Sequence, residues 1–139
     1  MQKTEFIQRM LGVPWVNRAC SFDAVDCWGL CVLYYRHVLG IELHHSPGYE
    51  AGSDFLTCYQ DEVVFWKVSE IPVEGGIFVG YIGDRAEHVG VIVDGAALHS
   101  RGDGGSVRHD RLRVIERMFT RIEYLTYADN RNTACSGQP

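Results

Sequence analysis

The chain has 139 residues, 46% of them apolar, and a formal charge of −5, which suits one core and leaves little room for two domains. Its Lys and Arg are scattered, which argues against a phosphate-reading surface and hence a nucleic-acid partner. The uncharged run 27–35 is about half of what a membrane span needs, and residues 1–9 carry charges where a signal peptide is apolar, so cytoplasmic synthesis without a signal peptide is expected.

Residues 4–11 place Phe6, Ile7, Met10 and Leu11 at helical spacing and stop at Gly12, which predicts a short amphipathic helix. After a loop with Pro14, Asp26 is a natural N-cap. Cys27, Leu30, Cys31, Tyr34 and Val38 then repeat with helical period, and Gly40 closes the run. Pro47, Gly48 and Gly52 mark a loop, and a further helix is expected from Ser53 with Phe55, Tyr59, Val63 and Trp66 on one side. The period then changes. Residues 76–82, 87–93, 96–101 and 119–127 are β-branched and aromatic runs separated by Gly and Asp, and read as strands. Arg108 to Arg117 alternates bases with acids and reads as a solvated face, and residues 128–139 read as a flexible polar tail. The expectation is one α+β domain over 1–127, with N-terminal helices packed on a small antiparallel sheet.

Five cysteines without repeating spacing make a poor disulfide framework, so reduced thiols are expected. No CxxC or HxxxH pair occurs, and a zinc module built on Cys27, Cys31 and histidines ranks below packed thiols. The stretch "FDAVDCWGL", residues 22–30, sets Cys27 at the first position of a helix, where unpaired N–H groups and the dipole favour a thiolate and a lowered pKa. Packing in the helix's apolar stripe is the alternative use of that residue.

The stretch "EHVGVIVDGAALHS", residues 87–100, is two alternating runs around Asp94-Gly95, a dipeptide suited to a two-residue hairpin. Such a turn pairs Gly90 with His99 and His88 with Arg101, which makes His88 and His99 diagonal neighbours roughly 7–8 Å apart by backbone spacing. They share a face with Gly90 and Ala97, whereas Val89, Val91, Val93 and Leu98 form the core face. A helix-start cysteine facing a sheet with one imidazole as base and a second polar group to orient it is the logic of a cysteine peptidase. His37, His44, His45 and His109 receive no role.

The segment "GVPWVNRACSFDAVDCWGL" followed by "EHVGVIVDGAALHS" resembles the NlpC family of cell-wall cysteine peptidases, over roughly residues 4–127. The shared features are a Pro-aromatic segment, Asp-Cys-x-Gly-Leu opening a helix, a His-Val-Gly strand, and a strand ending in Leu-His. The resemblance implies a papain-like fold with Cys27 as nucleophile, His88 as base and His99 as third polar residue. It also implies substrate contacts at Trp15, Asp26 and Trp28, and no cofactor or metal. The implied reaction is hydrolysis of the bond between γ-D-glutamate and a diamino acid in peptidoglycan stem peptides. Trp15 stands where many members have Tyr and brings no hydroxyl; Trp28 stands where Ser is frequent; Gly75-Gly76 replaces a usual Gly-Asp. The Trp28 form and the compact domain look like the phage and prophage tail branch, which implies tail-tip proteins as partners and a place in the virion tail. A tail-assembly component that keeps the fold and cleaves little is the alternative.

Overall fold

A computed structural model of the chain describes residues 1–43, 66–102 and 104–127. Helix α1, Lys3–Met10, buries Phe6 and Met10. Helix α2, Cys27–Tyr34, starts at Asp26, whose carboxylate accepts the Gly29 N–H at 2.7 Å, the side-chain cap that its sequence position calls for. The helix runs on into a wider π-helical turn, Tyr35–Leu39, and Gly40 ends it with φ of 72°. All eight residues of α2 are buried, beyond the single stripe expected, because the helix lies between the sheet on one side and α1 and the segment before it on the other. Gly29 makes this possible: a Cβ there would lie 2.2 Å from the Ala19 carbonyl oxygen.

Six antiparallel strands follow in the spatial order β1-β6-β2-β3-β4-β5: β1 Trp66–Ser69, β2 Ile77–Ile82, β3 Arg85–Val93, β4 Ala96–Ser100, β5 Val107–Arg111 and β6 Arg121–Tyr127. Helix α3, Leu112–Met118, links β5 to β6. The α+β class and its antiparallel sheet are as expected. The β3–β4 hairpin turns at Asp94-Gly95 with Val91 opposite Leu98 and Val93 opposite Ala96, the predicted register.

Three expectations need correcting. Trp66, expected on a helix, opens strand β1, where it pairs with Tyr127 and buries its ring against Tyr35 and Tyr127; the rest of that helix, like the 128–139 tail, lies outside the described residues. The basic stretch is structured, not only a solvated face: β5 pairs fully with β4, and α3 buries Ile115. A strand at a sheet edge and a helix with one buried residue need few apolar positions, so charge dominates their sequence. The third concerns the sheet faces. Val89, Val91, Val93 and Leu98 join α2 in the main core as expected, but the face that His88 and His99 share with Gly90 and Ala97 holds more than those four residues. Phe78, Ile92, Ala97 and Ile115 form a second core there under α3, and the Phe78 ring occupies the space that Gly90 leaves, 2.4 Å from where a Cβ would stand.

Candidate active site

The β3–β4 ladder ends at Val91 opposite Leu98. The same register would next set Gly90 opposite His99 and then Val89 opposite Ser100, and at this last pair the start of α2 intervenes. The Ser100 hydroxyl donates to the Val25 carbonyl at 3.2 Å, and the Val89 N–H acts on the Cys27 sulfur. Cys27 therefore sits in the fork where the β3–β4 ladder ends, against the residue next to His88.

His88 and His99 flank that fork, one from each strand, and both are buried, His99 completely. The imidazoles meet: His88 Nε2 and His99 Nδ1 are 2.8 Å apart. The His99 Nε2 is in turn 2.8 Å from Asp110 Oδ2, and Arg108 donates to both carboxylate oxygens of Asp110, at 3.1 and 3.2 Å. Phe119 stacks on His88 with planes 18° apart, and Phe78 meets both imidazoles edge-on. Gly80 is what admits Phe119, since a Cβ there would lie 2.6 Å from its ring. Beside His88 opens a cavity of about 260 Å³ walled also by Glu87, Arg101, Met118 and Phe119.

Helix α2 packs on the valine face, and the imidazoles lie on the opposite one with Phe78 and Phe119. Strand alternation requires this, as His88 and Val89 point to opposite faces. Among the described residues no hydrogen bond joins Cys27 to either histidine.

The helix start does not make Cys27 a thiolate. Burial pushes its thiol far up and the Asp26 carboxylate pushes the same way, while the N–H groups of Val89, Trp28 and Cys27 itself pull down without prevailing. Burial lowers His88 to about 3, and the neighbouring His99 and Arg101 add to this. At neutral pH both groups are thus uncharged. Burial also lowers His99, against the raising influence of Asp110. Burial raises Asp110, but the hydrogen bonds from Arg108 and His99 outweigh it and leave the carboxyl below its ordinary value.

Two of the three expected substrate contacts are enclosed. Trp28 is 0% exposed in the main core and Asp26 2%. The Asp26 carboxylate is spent on the N–H groups of Gly29 and Arg18, so it holds the helix start and meets no solvent. Trp15 is half-buried and bridged to Val25, and its backbone N–H donates to the Gly105 carbonyl at 3.0 Å.

Residues 12–123 match the model of the NlpC/P60 family. The chain belongs to that family. Solved NlpC/P60 structures share the fold: the domain of the peptidoglycan hydrolase SagA superposes with a TM-score of 0.59 at 14% identity, over 88% of this chain and 93% of that one. NlpC1 from Trichomonas vaginalis gives 0.61 at 17% identity, over 88% of this chain and 41% of that one. In sequence, the chain is 32% identical over 94 residues to the tail tip assembly protein K of Escherichia phage N15, covering 62% of this chain. It spans 38% of the length of that curated relative. Within this NlpC/P60 fold Asp110 is the residue that sequence reasoning missed. Its signal was the alternation Val107, His109 against Arg108, Asp110, which, read as a strand beside β4, sets Asp110 diagonal to His99 on one face.

Proposed function

We propose that the chain is a cysteine peptidase that hydrolyses peptidoglycan stem peptides at the γ-D-glutamyl–diamino acid bond, and that it works as part of a phage tail tip. The observation that carries the chemistry is the fork: a helix-start sulfur held against Val89, with His88 on the adjacent residue and His99 hydrogen-bonded to His88. Family membership supports the reaction class, and the tail tip relative supports the setting.

In this reading the neutral pair reacts only with substrate in place. The Cys27 S–H proton passes to His88 as the sulfur bonds to the scissile carbonyl carbon, whose C=O electron pair moves to oxygen. The N–H groups at the start of α2 are the donors at hand for that oxyanion. His88 then returns the proton to the departing amine, the C–N bond breaks and a thioester remains. Water, deprotonated by His88, attacks the thioester, and the sulfur leaves to take back its proton. The substrate enclosing the site supplies the drive, since a buried imidazolium and thiolate are each costly when formed alone.

Two observations favour the assembly reading: Trp15 has no hydroxyl, and no hydrogen bond pre-joins Cys27 to His88 among the described residues. Mass analysis of defined muropeptides incubated with the protein separates the two readings. Cleavage that vanishes in Cys27→Ala supports the peptidase; muropeptides left whole, with tails failing to assemble when the protein is deleted, support the assembly part.

A further inference from the structure

We infer that Asp110, clamped by Arg108, is a positioning residue that fixes the proton positions of both histidines and so makes His88 Nδ1 the nitrogen that acts as base. This rests on the peptidase reading for its catalytic consequence but not for its geometry.

A line of hydrogen bonds runs inward from strand β5 to the two histidines. A carboxylate only accepts, so the contact between His99 Nε2 and Asp110 Oδ2 at 2.8 Å requires the proton on His99 Nε2. A neutral His99 then has a bare Nδ1, which can only accept. The 2.8 Å contact from His88 Nε2 to that Nδ1 therefore requires a proton on His88 Nε2. His88 Nδ1 is left with its lone pair free, and no described group hydrogen-bonds to it. The line is directional, from His88 to His99 to Asp110, and its terminus is the one ionised group in it. Asp110 is itself held in both oxygens by Arg108, whose planar fork suits a carboxylate. Remove the carboxylate and either proton arrangement of His99 becomes admissible; with the reversed one, His88 presents a proton where a lone pair is required.

Among the described residues, the charged groups that bear on the imidazoles are Asp110, Arg108 and Arg101 on His99; Arg101 on His88; and Glu87, which walls the same cavity as His88 and is held by Arg85 at 2.9 Å. Asp110 is the anion hydrogen-bonded to His99, and its loss leaves the Arg108 guanidinium without its counter-charge.

The test combines a spectroscopic and a kinetic measurement on the whole chain. Nitrogen-15 NMR of wild type and Asp110→Ala at pH 7 reads the tautomers directly. Wild type should show Nε2–H for both His88 and His99, and Asp110→Ala should show mixed tautomers. On muropeptides, Asp110→Ala should lose about 10–100-fold in kcat, the range typical of groups that orient a reacting side chain, with little change in KM. The acid limb of kcat/KM should also move to lower pH, because the hydrogen-bonded histidine pair loses the anion that favours a proton on His99. Asp110→Glu, which keeps an acceptor, should recover part of the rate. A wild-type Nδ1–H tautomer at either histidine overturns the inference whatever the substrate. Full kcat and an unmoved pH profile in a folded Asp110→Ala overturn it as well. Muropeptides left whole by wild type, with the tautomers as given, would sink the peptidase reading and the kinetic consequence with it, while leaving the proton assignment standing.

Discussion

Three side chains at the fork carry the proposed chemistry, and each should fail in its own way. Cys27→Ala and His88→Ala should each abolish hydrolysis while the far-ultraviolet circular dichroism stays native. His99→Asn can still accept from His88 Nε2–H, so it should keep partial activity, whereas His99→Ala should keep less. Cys31, fully buried one helical turn on, should instead cost on the order of 1 kcal/mol when cut to Ala and leave turnover largely intact. The electrostatics add a prediction that composition alone reverses. A helix-start cysteine read from sequence is a reactive thiolate, but burial and Asp26 keep this one protonated. Alkylation of Cys27 at pH 7 in the free protein should therefore be slow, no faster than that of the half-buried Cys20; rapid, selective labelling of Cys27 would show the thiol ionised.

At the scale of the element, Asp26 has two opposed effects on α2: it caps the helix and its charge disfavours the adjacent thiolate. Asp26→Asn should separate them. Asparagine caps about as well as aspartate, so the melting temperature should fall little, whereas Asp26→Ala should cost about 1 kcal/mol. Loss of the charge should bring the Cys27 thiol down and speed its alkylation. The β3–β4 hairpin was legible in the sequence because Asp94-Gly95 admits a two-residue turn and strand alternation then fixes which residues share a face. That sufficed to place His88 beside His99. Strand β5 and helix α3 were not legible, since an edge strand with one buried residue and a helix buried only at Ile115 leave almost no apolar period in a charge-rich stretch. Missing β5 meant missing Asp110. The fork itself was illegible for another reason: where a ladder stops depends on what wedges into it, and the start of α2 is more than sixty residues upstream.

For the whole molecule, the buried imidazoles make stability depend on pH. His88 binds a proton near its ordinary value of 6.5 when unfolded, but only near 3 when folded, and His99 is lowered in the same direction. Between those limits the unfolded chain holds more protons, so stability is complete above about pH 6.5 and declines as pH falls below it. Thermal unfolding from pH 8 to pH 5 should show the melting temperature dropping on the acid side, and His88→Asn should flatten that slope; a slope unchanged in His88→Asn would mean that His88 is not the buried neutral group described. The second core explains why these histidines stay enclosed: α3 and Phe119 cover the face opposite to α2, so the sheet is buried on both sides where the imidazoles lie. A D-configured isopeptide takes a backbone course that ordinary peptides do not copy, and the proposed site should discriminate accordingly, leaving casein intact. The most direct test of the central claim is digestion of a γ-D-glutamyl–diamino acid muropeptide of known structure, followed by mass spectrometry. Wild type should split it at that bond, and Cys27→Ala at equal concentration should leave it whole; equal cleavage by both, or none by either, would contradict the account.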